Sequence, residues 1–284
     1  MQPNEVVLPA GWSLECLPSV DSTNEAVKRR VLETGKDRLI IQADEQTAGR
    51  GRRGRPWKSA AGNLFFSLAV KAGNISRLGE YSFLSALSLT LAVEEICPRV
   101  SVKCKWPNDV LLNGKKMSGI LLETTGKKGI EFLISGIGVN IFPVSEEGML
   151  YPVTSLAQEG CTTDKSEMLS AIVRHFDRLD KLREEEGFLP VLDLWKSRAY
   201  GLGGMITVNL PDRRLTGTFS GSVFSGQADF LPVGNMGTGF VEQRPAGKAQ
   251  RNVVYIKHEQ QCSLALYKKK GLLEYDIRFF GEKG

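Results

Sequence analysis

The stretch DSTNEAVKRRVLETGK, residues 21–36, reads as a helix with a marked start. Ser22 and Glu25 stand at capping-box spacing, and Gly35 supplies the stop. RLIIQA (38–43) then reads as a buried strand, NLFFSLAV (63–70) as a second strand, and 78–95 as a helical stretch rich in apolar residues. VSVKCKW (100–106) alternates toward a strand. Asn113-Gly114, set between two apolar runs, is a strong hairpin signal. Alternation beyond that turn puts Lys116, Ser118 and Ile120 on one face and Met117, Gly119 and Leu121 on the other. IEFLISGIGVNIF (130–142) is a further strand, and Gly136 and Gly138 mark close approach by another group. Residues 166–186 form an amphipathic helix and 188–197 a shorter one. From about Met205 the texture becomes β-rich, with VVYIKH, SLALYKKK and LLEYDIRFF as candidate strands. We expect a boundary near 201–204, dividing a first domain (1–203) from a small β-rich one (204–284).

Composition narrows the class. The chain has 284 residues, 42% of them hydrophobic and 24% charged, which suits a soluble globular protein with a real core. No apolar run is long enough to span a membrane, and residues 1–20 lack the pattern of a signal peptide. Five cysteines with no C-x-x-C suggest neither a disulfide framework nor zinc, and a reducing cytoplasm is the expected location. The net charge is +5, and Arg50, Arg52, Arg53, Arg55 and Lys58 alone contribute that amount. The basicity is therefore local, which weakens a nucleic-acid reading that needs a broad patch.

That local feature, GRGRRGRPW at 49–57, matches G-x-G-x-x-G in letters. Pro56 and Gly62 break the helix a dinucleotide motif must open. No Walker A, H-E-x-x-H or G-x-S-x-G occurs, and His175, on an amphipathic helix, reads as structural. Two readings of the basic segment remain: a solvated loop, or a lid whose glycines give mobility and whose arginines order over an anionic substrate. KCKWPNDVLLNGKKMSGIL adds Lys103, Lys105, Asn108, Asp109, Lys115 and Lys116 around the hairpin, where a lysine on rigid strands is a good fixed charge for a phosphoryl oxygen.

DSTN (21–24), QTAGRGRRGRPW (46–57), KWPND (105–109), KKMSGIL (115–121) and GIGVN (136–140) follow one another in the order and rough spacing of the biotin–protein ligases, a family this chain resembles. The resemblance implies an α+β fold: a mixed sheet flanked by helices, with a small SH3-like C-terminal domain. It implies a ligase that makes biotinyl-5′-AMP from biotin and ATP, then acylates one lysine of a carboxylase's biotin carboxyl carrier domain. By the same resemblance, Ser22, Thr23 and Gln46 bond the ureido ring, and Gly119 offers biotin a backbone contact. Arg50 and Arg52 hold the biotin carboxylate and the α-phosphate, and Lys116 neutralises both anions, so Lys116 and Arg52 carry the catalysis. Gly49, Gly51 and Arg55 belong to the adenylate-binding loop. Asn140 sits near the adenine and Trp57 covers it. Mg²⁺ is expected with ATP, no protein metal cage is expected, and Asp109 reads as structural.

The resemblance leaves a homodimer open. About twenty residues precede DSTN, so no DNA-binding module, and hence no DNA partner, is expected. Beyond about Phe219 the sequence departs from the family pattern. A lipoate or octanoate ligase shares the fold, but its substrate has no ureido ring to occupy Ser22, Thr23 and Gln46. A nucleic-acid-binding protein using the arginine loop is the remaining alternative, and it predicts steeply salt-dependent binding without turnover.

Overall fold

The computed structural model describes residues 5–73, 77–149, 151–209, 214–223, 227–232, 262–264, 268–269, 272–273 and 276–279. Its elements in chain order are β1 (Ser13–Val20), α1 (Thr23–Thr34), β2 (Leu39–Gln46), β3 (Leu64–Lys71), α2 (Glu80–Ile96), β4 (Val102–Lys105), β5 (Asp109–Leu112), β6 (Lys115–Thr125) and β7 (Phe132–Val139). After them come α3 (Lys165–Glu186), α4 (Leu189–Lys196), β8 (Met205–Asn209), β9 (Arg214–Val223), β10 (Gln227–Pro232), β11 (Cys262–Leu264), β12 (Lys268–Lys269), β13 (Leu272–Leu273) and β14 (Asp276–Phe279).

β1 to β7 form one sheet in the order β1-β2-β3-β7-β6-β5-β4. β1 runs parallel to β2, and the other neighbours are antiparallel, so the sheet is mixed. Helices cover both faces, which explains why the β2 and β3 sequences read as continuous apolar runs instead of alternating. On one face, Val27 and Val31 of α1 pack against Leu39, Ile41 and Ile134. On the other, Ile40, Leu68 and Ile137 meet Leu84 and Leu87 of α2 and Phe176 of α3. α2 is apolar nearly all round because it lies between the sheet and the α3–α4 layer.

A second, five-stranded sheet has the order β11-β10-β9-β8-β14. The candidate strand VVYIKH at 253–258 lies outside the described residues. Ile206 and Phe219 belong to the main core. Trp195 is buried with its ring 4.8 Å from that of Phe83 and 6.4 Å from that of Phe219. Trp195→Ala is therefore expected to cost about 3–5 kcal/mol of stability, read as a shift in denaturant midpoint at unchanged slope.

Three local readings change. Ser22 occupies the N-cap of α1, but its side chain makes no capping bond and Glu25 bonds elsewhere, so no capping box forms. Gly35 does close the helix in the left-handed region, at φ 68°. Strict alternation along β6 also fails. The register against β5 shifts between Val110 and Leu111, so that Val110 pairs with Ser118 and Leu111 with Lys116. This bulge leaves Met117 and Ile120 both in the core, and Lys116 and Gly119 both on the opposite, open side. Finally, Cys97, which ends α2, and Cys161 face each other as a pair, their Cα atoms 5.7 Å apart, where the sequence offered only separate core cysteines. They stand 64 residues apart, and only the fold brings them together.

Candidate active site

Gln46 ends β2, and the basic segment then leaves the sheet as a narrow arch. Trp57 N–H donates to the Gly49 carbonyl at 2.9 Å, and Gly51 N–H to that of Arg55 at 2.7 Å. The arch holds one 3₁₀ turn, Arg52–Gly54, and no helix follows, so the dinucleotide reading fails on geometry as well as on sequence. A side chain at Gly49 would be tight, its Cβ lying 3.1 Å from both Gln46 Nε2 and Ser59 Oγ, so those two would have to give way. Gly49 lies outside the cavity lining and shapes the base of the arch instead.

Beneath the arch lies a cavity of about 460 Å³. It brings together Ser22, Thr23, Gln46, Arg50, Gly51, Arg52, Arg55, Trp57, Lys116, Gly119 and Asn140, the predicted site residues other than Gly49. One end is neutral and polar. Gln46 Oε1 accepts from Thr23 N–H at 2.9 Å and from its hydroxyl at 3.2 Å, and Gln46 Nε2 donates to Ser59 Oγ at 3.3 Å. Ser22 and Thr23 are buried there, at the start of α1.

The other end is cationic. Lys116, placed by the β6 bulge, pairs with Asp109 at 2.6 Å across the hairpin. The hairpin turn has the left-handed φ angles its sequence predicts, 48° at Asn113 and 79° at Gly114. Arg52 is buried, and its Nη1 donates to Asn108 Oδ1 at 2.9 Å. Asn108 Nδ2 in turn donates to the Ile120 carbonyl at 2.7 Å, which ties the arch to β6. The KWPND motif thus supplies a carboxylate for Lys116 and an amide for Arg52. Asp109, read from the sequence as structural, is the partner that holds Lys116.

The floor between the two ends is glycine. Trp57 lies against Gly119 and Gly138, where added Cβ atoms would come 2.9 Å and 2.5 Å from its ring. The close-approach reading of Gly138 is thereby explained. Asn140 lines the cavity but also supports its wall, its amide donating to the Thr154 carbonyl at 3.1 Å. Val144, Gly148, Met149, Tyr151 and Val153 close the far side. Sequence reasoning missed this wall, because an irregular loop without a motif carries no periodic signal.

Arg50 lines the neutral end, and its guanidinium is already paired, with Glu25 and, at 3.1 Å, with Glu123. Burial alone pushes the Glu123 carboxyl up. Hydrogen bonds from Asn24 and Lys28, the Lys28 charge and Arg50 outweigh it and hold the carboxyl below its ordinary value. His175 sits away from the cavity, with Nε2 3.0 Å from Glu95. Among the described residues no cluster of three or more His, Cys, Asp or Glu could hold a metal ion.

Residues 16–140 match the model of the biotin/lipoate A/B protein ligase family. The chain is 36% identical over 219 residues to a biotin–[acetyl-CoA-carboxylase] ligase of Paracoccus denitrificans, covering 74% of this chain and 90% of that protein. It is 32% identical over 212 residues to a bifunctional ligase/repressor of Bacillus subtilis, covering 71% of this chain and 63% of that protein. The structure is similar to that of the Aquifex aeolicus biotin protein ligase in complex with biotin and ATP. The TM-score is 0.71 at 27% identity, over 94% of this chain and 99% of that one.

Proposed function

The chain belongs to the biotin–protein ligases of the biotin/lipoate A/B ligase family, and on that premise we propose how its cavity runs the two half-reactions. In the first, a biotin carboxylate oxygen attacks the α-phosphorus of ATP. A carbon-bound oxygen gains a bond to phosphorus, and pyrophosphate leaves. In the second, a lysine amine of a carboxylase's carrier domain attacks the acyl carbon, loses a proton, and AMP departs.

One observation carries this reading: a single cavity joins a neutral hydrogen-bonding end to a fixed cation across a glycine floor. A ureido ring is neutral and polar, and once buried it needs partners such as Ser22, Thr23 and Gln46. The acid's far end is anionic, and so is the α-phosphate it must meet. Lys116, fixed by Asp109 and the bulge, offsets their repulsion without reorganising. Arg52, anchored through Asn108, supplies a second cation to the same cavity. Gly119 bears no side chain, so the Trp57 ring lies directly on it; its backbone meets biotin once that ring gives way, and Trp57 and Asn140 border the nucleotide. The arch excludes water from an acyl-adenylate that water would destroy.

Mg²⁺ would accompany the ATP phosphates, whose charge it would partly neutralise. Among the described residues no helix is long and apolar enough to cross a membrane, in keeping with a cytoplasmic enzyme. No observation on the cavity favours a lipoate substrate or nucleic acid.

The test is to incubate the protein with biotin, MgATP and a biotin carboxyl carrier domain, then map the mass gain. Biotin on one carrier lysine, dependent on ATP, supports the reading. An unmodified carrier in the presence of intact ATP contradicts it.

A further inference from the structure

A continuous polar chain links the neutral end of the cavity to the arch. Ser67 Oγ lies 2.8 Å from Thr23 Oγ1, a link made when the one Thr23 hydroxyl proton turns from Gln46 to Ser67, and Ser67 donates to Asn24 Oδ1 at 2.6 Å. Asn24 Nδ2 donates to Glu123 Oε2 at 2.7 Å, and the same carboxylate takes Lys28 at 2.9 Å and Arg50 at 3.1 Å. Glu25 completes the group by pairing with Lys28 at 3.0 Å and with Arg50. Gly136 makes room for the chain, since a Cβ there would lie 2.1 Å from Asn24 Oδ1. Thr23 and Asn24 start α1, Ser67 sits on β3 and Glu123 on β6, so three rigid elements converge on one residue of the arch.

The charges match within the group: Glu25 and Glu123 against Lys28 and Arg50. Glu123 is only 6% exposed. If Arg50 swung away with the arch, that buried carboxylate would lose one of its two cations, a costly change in low dielectric. Arch opening is thus opposed from inside the sheet, at a point two hydrogen-bonded residues from Thr23.

We propose that Glu123 is a positioning residue for the arch: it holds Arg50 at the neutral end of the cavity and couples arch closure to the side chains that receive the biotin ring. The inference rests on the function proposed above and deepens it. Glu123 touches no reacting atom and acts through Arg50.

The test compares Glu123→Gln, Arg50→Gln and the double variant, each checked for folding by thermal melting. Two quantities are read: the KM for biotin and kcat in ATP–pyrophosphate exchange, and the rate of tryptic cleavage at Arg52 and Arg53, since Pro56 protects the bond after Arg55. We expect Glu123→Gln to raise the KM for biotin about tenfold with kcat within about twofold, the loss of one charge-assisted bond. Arch cleavage should speed up severalfold. Adding Glu123→Gln to Arg50→Gln should change neither quantity further, because the two act as one unit. Effects that add, or unchanged cleavage in Glu123→Gln, overturn the proposal, since a purely structural carboxylate would lower stability in both backgrounds. If Glu123→Gln fails to fold, Glu25→Gln in the same cycle carries the same expectation with a smaller amplitude. Should the wild-type protein show no biotin-dependent exchange, the functional reading falls. The cleavage arm still decides whether Glu123 holds the arch.

Discussion

Lys116→Ala is expected to slow biotin-dependent adenylate formation about a hundred- to a thousandfold, the size of effect seen when one preorganised electrostatic group is removed. The reasoning is electrostatic. Two anions must approach bonding distance, and in the cavity they do so with little water to screen them. Lys116 is held by Asp109 at 2.6 Å, on a strand whose bulge turns it into the cavity. Its removal deletes a cation and also leaves the Asp109 carboxylate facing the reacting anions. The loss should appear in kcat, with the KM for biotin little changed, because the ring-binding end is untouched. Single-turnover assays of pyrophosphate release check this. A variant retaining more than a tenth of wild-type kcat would remove Lys116 from the reaction.

The second large effect is expected at Arg52. Its buried guanidinium fastens the arch to Asn108, and Asn108 to the Ile120 carbonyl. Arg52→Gly removes that anchor and adds a flexible residue to an already glycine-rich arch. A charge-assisted hydrogen bond of about 1.5–3 kcal/mol corresponds to about ten- to a hundredfold in the closed-to-open balance. The variant should still make biotinyl-adenylate but release it that much faster, measured as labelled adenylate passing an ultrafiltration membrane. Asn108→Ala should move the same way, because it cuts the other end of the anchor. Retention equal to wild type in both variants would separate Arg52 from closure.

Much of this site was legible in the sequence because its parts sit in contiguous motifs. DSTN, the arginine arch, KWPND and KKMSGIL each deliver residues to one cavity. What could not be read is what depends on register and on distant pairing. The β6 bulge moves Lys116 and Gly119 to the same side, and no residue type announces it. β1 gives little periodic signal because it is an edge strand carrying Pro18 and Glu15, and it is half exposed. Glu123 did leave a trace, as a lone carboxylate in the apolar run GILLETT, but its partners Asn24, Lys28 and Arg50 come from α1 and the arch. The Cys97–Cys161 pair is equally non-local. The capping-box letters at Ser22 and Glu25 were present, yet Ser22 lines the cavity and Glu25 pairs with Arg50 of the arch, so no local cap forms.

ATP–pyrophosphate exchange, run on the wild-type protein with biotin or lipoate as the only added acid, tests the central claim most directly. The account predicts exchange that requires biotin and stays at background with lipoate, because only biotin places a neutral hydrogen-bonding ring against Ser22, Thr23 and Gln46 while its carboxylate reaches Lys116. Exchange driven by lipoate, or none with either acid, would contradict it.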